Sequence, residues 1–205
     1  MAGAINPGPV DDLGPPIIID VGTLARTATP LPGPVGLPAK GGSAKTGAVV
    51  SGDQVISFAR DRIGQRMGSG ECFDLADQAL RNAGAKSAAD FGVVTPNADY
   101  VWGNQVNLSD VHPGDIIQFR NYRYDRTIET DTSINTDFQE RPHHTAIIER
   151  VDASGTLTVL EQNAPDGASV QRSPLFFSAV NTSSGSRKTT ITVQGRFWFY
   201  RPQPR

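Results

Sequence analysis

The stretch that decides the fold lies at residues 68–76 and reads Gly-Ser-Gly-Glu-Cys-Phe-Asp-Leu-Ala, a glycine-rich turn running into a helical pattern. It contains Cys72, the only cysteine among the 205 residues. A helix N-terminus carries a partial positive charge that stabilises a thiolate, and the thiolate is the nucleophilic form of cysteine. Because a lone thiol is more often a small buried hydrophobe, a nucleophile also needs an imidazole and an orienting acceptor elsewhere in the chain.

Two amphipathic helices are predicted around this stretch. Apolar residues recur at helical spacing over 51–63 and again over 71–83. The second helix has Ser69 as its expected N-cap and Gly84 in the stop position. Cys72 begins the apolar stripe of this helix, so we expect the thiol to lie where the helix meets the core.

From residue 111 onward the period of the sequence becomes that of β-strands. The strand candidates are 116–120, 145–151, 156–162, 189–193 and 196–200. Helices followed by a run of antiparallel strands predict an α+β fold, in which N-terminal helices pack on an antiparallel β-sheet.

The hairpin formed by the second and third of these strands is expected to carry a polar cluster. If its turn has four residues, Val151 pairs with Thr156. Side chains alternate with period two, so His144 then shares one face of the sheet with Glu161 and Asn163. Direct neighbours lie about 5 Å apart and diagonal ones about 7–8 Å, within reach of an imidazole and a carboxylate or amide. A slip of one residue would separate them unless a bulge restored the pairing.

These residue types suit nucleophilic catalysis. An imidazole beside the thiol takes its proton and later donates one to the leaving group, while an acceptor on the far ring nitrogen fixes the ring. His144 is the expected base, and either Glu161 or Asn163 is expected to hold it. The backbone N–H of Cys72 is the first candidate donor to a developing oxyanion.

Three nearby residues have competing interpretations. His143 is a second candidate base. The side chain of Gln65 could donate to an oxyanion, although a surface glutamine is the more ordinary assignment. Trp102 could line a substrate groove or belong to the core.

Five motifs, in this order along the chain, resemble the CHAP and NlpC/P60 branch of the papain-like cysteine hydrolases. They lie at 71–76, 113–119, 144–149, 160–163 and 195–202. The Gly-Glu-Cys motif followed by Leu-Ala is similar still more closely to cysteine-proteinase-fold domains of fungal actin-patch adaptors and of uncharacterised bacterial proteins. For CHAP relatives, the resemblance implies a papain-like fold and a Cys-His-Glu/Asn site that hydrolyses peptide or amide bonds, often in peptidoglycan. The site residues carry over onto Cys72, His144, Glu161 and Asn163.

Two features depart from the CHAP pattern. Glu71 stands where those domains commonly have glutamine, and a carboxylate beside the thiol opposes an oxyanion. Residues 121–142 are longer than the usual connection and are expected to form an extended hairpin or a lid over the substrate. The alternative function is therefore a catalytically inactive papain-fold module that binds a protein.

Composition predicts a tail and one domain. Residues 1–48 are rich in proline and glycine and are expected to be a flexible tail, followed by a CHAP-like domain over 49–205. The tail's proline spacing and its apolar patch at 17–19 suggest a protein partner.

Charge and hydropathy exclude several other partners. The formal net charge is −2 with the signs interspersed, so no face for a nucleic acid is expected. No apolar run is long enough to span a membrane and no signal peptide is visible, which predicts a cytoplasmic location by default and leaves export by another route open. Three histidines and one cysteine lack metal-ligand spacing, so neither metal nor cofactor is expected.

Overall fold

A computed structural model describes residues 49–152 and 155–205, and within these ranges two α-helices precede seven β-strands. The predicted tail and its apolar patch lie outside the described residues. The helices are α1 (Gly52–Arg60) and α2 (Cys72–Asn82), and the strands are β1 (Asn104–Val106), β2 (Ile116–Glu129), β3 (Ile134–Val151), β4 (Thr156–Glu161), β5 (Gln171–Phe176), β6 (Val180–Ser184) and β7 (Arg187–Arg201).

The strands form one antiparallel sheet in the order β1-β7-β2-β3-β4-β5, with β6 paired to the other half of β7. The helices come first along the chain and the antiparallel sheet follows, which is the α+β order that the sequence predicts. The prediction missed β1, β5 and β6, and it divided β7 into two strands. The first helix is shorter than predicted, because α1 ends at Arg60 and Ile63 is 39% exposed.

Apolar side chains cover both faces of the sheet. On one face, which we call the helix-side core, Leu75 and Leu80 of α2 pack with Ile147 and Leu160 of the sheet. The opposite face carries the far-side core, which includes Phe119, Ile148 and Val159. Each such side chain contributes about 1.5–3 kcal/mol when it is removed from water.

The connection after β5 closes the far-side core. Phe177 follows β5, yet its ring lies 5.5 Å from that of Tyr122 on β2 and 5.4 Å from that of Phe199 on β7. Neither β2 nor β7 pairs with β5. The connection from β5 to β6 therefore carries the Phe177 ring over β2 and β7 and encloses the far-side core.

The β3–β4 hairpin departs from the predicted register near its turn and regains it at the site. The N–H of Asp152 donates to the carbonyl of Thr156 at 2.9 Å, so three residues lie between this closing pair. Val151 consequently pairs with Leu157, and its predicted pairing with Thr156 is wrong. A bulge between Ile148 and Arg150 then shifts the register by one residue. From there the strands follow the predicted pairing, with Ile147 opposite Leu160.

Residues 121–142 continue β2 and β3 beyond the end of β4, and β7 pairs with β2 along this extension as far as Glu129. Cross-strand ion pairs line this extension, including Arg126 with Asp137 at 2.6 Å. Its base is irregular, because Asn121 has a φ of 52° and faces Gly195, whose φ is 89°. A Cβ on Gly195 would lie 2.1 Å from the carbonyl oxygen of Asn121, so only glycine fits there. The predicted role of this segment as a lid over a substrate stays a prediction.

Candidate active site

Cys72 is the first residue of α2 and is partly exposed. Glu71 takes the N-cap position with extended φ and ψ of −74° and 149° and makes no side-chain cap. The prediction of Ser69 as N-cap is wrong, because the carboxylate of Asp74 reaches back from the first helical turn and accepts from both the Ser69 amide and its hydroxyl, at 2.7 and 2.6 Å. The thiol therefore lies at the N-terminus of a helix, where the partial charge of the backbone is positive.

The imidazole of His144 and the carboxylate of Glu161 meet across β3 and β4. His144 Nε2 lies 3.0 Å from Glu161 Oε2, and both side chains are almost fully buried, with 3% and 0% exposure. Since Nε2 faces the carboxylate, Nδ1 is the ring nitrogen left for the thiol, and Cys72 and His144 line the same cleft.

Asn163 lies in the same region but does not hold the ring. Its φ of 62° turns the chain out of the strand. Its Nδ2 donates to Glu71 Oε2 at 3.2 Å, and its Oδ1 accepts from the Gly167 N–H at 2.6 Å. Of the two residues expected to orient His144, the structure thus places Glu161 at the ring and Asn163 against Glu71.

Arg141 completes the buried charge cluster, and the sequence analysis did not single it out. Its guanidinium donates to Glu161 through Nε at 2.8 Å and through Nη2 at 2.5 Å, and its side chain is only 6% exposed. A glutamate that ends an apolar strand is costly to bury unless a cation pairs with it. That rule was the available signal for such a partner, but it does not identify which arginine supplies the pair.

The buried contacts shift both ionisation equilibria. Burial alone would lower the pKa of His144, but the interactions with Cys72 and Glu161 outweigh it and raise this pKa to about 9. Burial alone would likewise raise the pKa of Glu161, but the hydrogen bonds from His144 and Arg141 lower it to about 2. At neutral pH the cluster therefore holds an imidazolium between a carboxylate and the Cys72 side chain.

Gln162 holds the loop that precedes the thiol, and it too was absent from the sequence prediction. Its side chain is fully buried. Its Oε1 accepts from the Met67 N–H at 2.9 Å, and its Nε2 donates to the carbonyls of Met67 at 3.0 Å and Glu71 at 2.6 Å. Both ends of the turn that leads into α2 are thereby tied to β4.

A cleft of about 730 Å³ opens over the thiol and the imidazole, which both line it. This volume lies in the range of small-molecule and peptide sites. Tyr100 and Pro96 provide part of an apolar wall. Carboxylates outnumber cations along the cleft, because Arg141 and His144 line it together with Glu71, Asp74, Glu140 and Asp166.

The competing residues of the sequence analysis have other partners, although His143 also lines the cleft. The Nε2 of His143 bonds the carbonyl of Ala98 at 2.8 Å. Gln65 is exposed and donates to the carbonyl of Asp61 at 3.3 Å. Trp102 is fully buried in the helix-side core.

Two further searches concern the described residues alone. Within 49–152 and 155–205, no three His, Cys, Asp or Glu side chains gather as a metal site. Within the same ranges, no helix is long and apolar enough to cross a membrane. The expectations of no metal, no cofactor and a cytoplasmic location stay predictions.

A thiol-bearing helix packed on an antiparallel sheet is the architecture of the papain-like cysteine-proteinase fold. Residues 45–205 match the family described as the AIM3/BBC1 cysteine proteinase-fold domain. Because this match covers most of the chain, the chain belongs to that family. No curated protein and no solved structure matches it.

Proposed function

We propose that the chain is a cysteine hydrolase that cleaves a peptide or amide bond through an acyl-thioenzyme. Cys72 is the nucleophile, His144 the proton carrier and Glu161 the residue that orients the ring. The observation that carries this proposal is a cleft of about 730 Å³ that Cys72 and His144 both line, with the His144 ring held by Glu161 at 3.0 Å.

The proposed reaction has two halves. The sulfur of Cys72 attacks the carbonyl carbon, and the tetrahedral intermediate expels the amine as His144 donates a proton to its nitrogen. Water then attacks the thioester carbon while His144 accepts a proton from it, and the C–S bond breaks, which releases the acid and returns the Cys72 sulfur beside the protonated ring. Glu161 keeps its charge throughout, because Arg141 and His144 hold its pKa at about 2.

Within this class, a CHAP-type site is our more specific proposal. The Cys, His and Glu roles follow the order of that resemblance, with Asn163 acting instead on Glu71. By holding the Glu71 carboxylate, the Asn163 amide limits how freely that charge approaches the reacting oxygen. Peptidoglycan is one candidate substrate, and a cytosolic peptide or isopeptide is another.

The alternative, an inactive module that binds a protein, predicts an inert thiol. The partial exposure of Cys72 and its place in the cleft support the enzyme instead. The alternative also includes the proline-rich tail as a segment that binds a protein partner. That tail lies outside the described residues.

Alkylation by iodoacetamide at pH 7 distinguishes the two functions, since each chain carries a single cysteine. We expect Cys72 to react at least about tenfold faster than N-acetylcysteine, because it lies at a helix N-terminus and shares its cleft with the His144 ring. His144→Ala should abolish the excess, whereas the control His143→Ala should retain it. A rate equal to that of the free thiol and indifferent to His144→Ala would reject the hydrolase.

A further inference from the structure

All the hydrogen bonds of the Gln162 side-chain amide go to one loop, residues 67–71. The amide is fully buried, and its three hydrogen bonds reach the N–H and carbonyl of Met67 and the carbonyl of Glu71. The bond to the Glu71 carbonyl, at 2.6 Å, is the shortest of the three. Gln162 therefore fixes the peptide unit that joins Glu71 to Cys72.

Because that peptide is planar, fixing the direction of its carbonyl also fixes the direction of the Cys72 N–H. The Glu71–Cys72 peptide is trans, so its C=O and N–H point in opposite directions. Its carbonyl points toward buried Gln162 and also accepts the first helical hydrogen bond, from the Asp74 N–H at 3.0 Å. The N–H of Cys72 then points out of the helix N-terminus, and Cys72 itself lines the cleft.

Neighbouring residues at the end of one strand thus serve the two halves of the site. Glu161, the last residue of β4, holds the His144 ring, while Gln162, the residue that follows β4, holds the peptide before Cys72. A displacement of this strand end would move the imidazole and the backbone donor together.

We infer that Gln162 is a positioning residue for oxyanion stabilisation, because it aims the N–H of Cys72 at the developing charge. The inference rests on the proposed function. When sulfur bonds to the carbonyl carbon, the π electrons move to oxygen, and the Cys72 N–H donates a hydrogen bond to that oxyanion. As the intermediate collapses, the carbonyl reforms and the bond to the leaving group breaks. Gln162 touches none of the reacting atoms and acts through the peptide alone.

Two small reagents separate this role from a merely structural one. p-Nitrophenyl acetate reacts through a tetrahedral oxyanion, in which Cys72 sulfur displaces p-nitrophenolate and becomes an acetyl thioester. Iodoacetamide reacts by displacement of iodide at a saturated carbon and forms no oxyanion. The ratio of the acylation rate to the alkylation rate therefore reports oxyanion stabilisation, once the rate of Cys72→Ala is subtracted as background.

We expect Gln162→Met to lower this ratio at least about tenfold, which is less than the roughly 10²–10³-fold loss seen when one oxyanion donor is removed, because here the donor is displaced and not deleted. The matched control Gln65→Met replaces an exposed glutamine and should leave the ratio unchanged. If Gln162→Met lowers both rates by the same factor, or changes neither, the inference is overturned.

The unmodified protein gives a second test that does not depend on how well the variant folds. Its ratio of acylation to alkylation should exceed that of N-acetylcysteine at least about tenfold. A ratio equal to that of the free thiol overturns the inference about Gln162. If alkylation is nevertheless fast and depends on His144, the proposed hydrolase function stands although the inference fails. Alkylation no faster than that of the free thiol overturns both.

Discussion

Replacing Glu161 with glutamine should remove a pH-dependent part of the free energy of unfolding. The Glu161 side chain is fully buried, and its carboxylate binds Arg141 and His144. Burial opposes ionisation, but these partners outweigh it and lower the pKa from 4.5 to about 2. A depressed pKa stabilises the folded state above the unfolded-state pKa, and this stabilisation is lost as the pH falls toward the folded-state value.

The size of the effect follows from the two pKa values. The folded-state pKa of about 2 lies below the unfolded-state value of 4.5, and each pKa unit of this difference corresponds to about 1.4 kcal/mol, which gives ~3 kcal/mol in total. About 2 kcal/mol of this should be gained between pH 3 and pH 5.5, where unfolding is convenient to measure.

Urea unfolding of the wild type and of Glu161→Gln at several pH values, followed by tryptophan fluorescence, measures this difference. Subtracting the two curves cancels the carboxylates that both chains share, so the difference should grow by about 2 kcal/mol across that range. Asp131→Asn, at an exposed position in the β2–β3 turn, serves as the control and should give a flat difference. A flat difference for Glu161→Gln as well would refute the buried, ionised glutamate.

Three further perturbations probe the cluster, the cleft and the fold. Arg141→Met should lower the free energy of unfolding in urea by about 3–5 kcal/mol, because it leaves a buried carboxylate without its main cation. The control Arg126→Met, at a more exposed ion pair between β2 and β3, should lower it by less than about 1 kcal/mol. Equal losses would contradict the burial argument. At low salt, Cys72 should react about tenfold faster with cationic 2-aminoethyl methanethiosulfonate than with its anionic sulfonatoethyl analogue, and equal rates would contradict an acidic cleft formed by Glu71, Asp74, Glu140 and Asp166. Gly195→Ala should destabilise by ~1–3 kcal/mol more than the control Gly185→Ala, because both positions have positive φ but only the first new Cβ meets a backbone oxygen; equal thermal shifts would count against that contact.

The sequence could predict that His144 and Glu161 share one face of the sheet, because side chains alternate along each strand and only an odd register shift would put the two residues on opposite faces. The register itself was not. Residues 145–148 are buried without interruption, so the hydrophobic pattern does not say which face is which. The turn after Asp152 is one residue shorter than expected, and the bulge beside Ile148 compensates for it. Two local departures cancelled, and the site end of the hairpin follows the predicted pairing.

Arg141 and Gln162 were not predictable in the same way, because their partners lie far along the chain. Arg141 binds a carboxylate 20 residues away, and Gln162 binds carbonyls 91 and 95 residues away. Edge strands were missed for a different reason. Pro174 argues against a strand, yet β5 has a partner on one side only, and proline is tolerated on such an edge.

The central claim is that Cys72, His144 and Glu161 form one coupled unit, and the titration of the His144 ring by ¹⁵N NMR tests it most directly. With three histidines in the chain, His112→Gln and His143→Gln variants assign the signals. We expect both nitrogens of His144 to be protonated at pH 7 and to titrate with a pKa of about 9, and we expect Cys72→Ala and Glu161→Gln each to lower that pKa. A His144 ring that is neutral at pH 7, and whose titration neither substitution alters, would contradict the account.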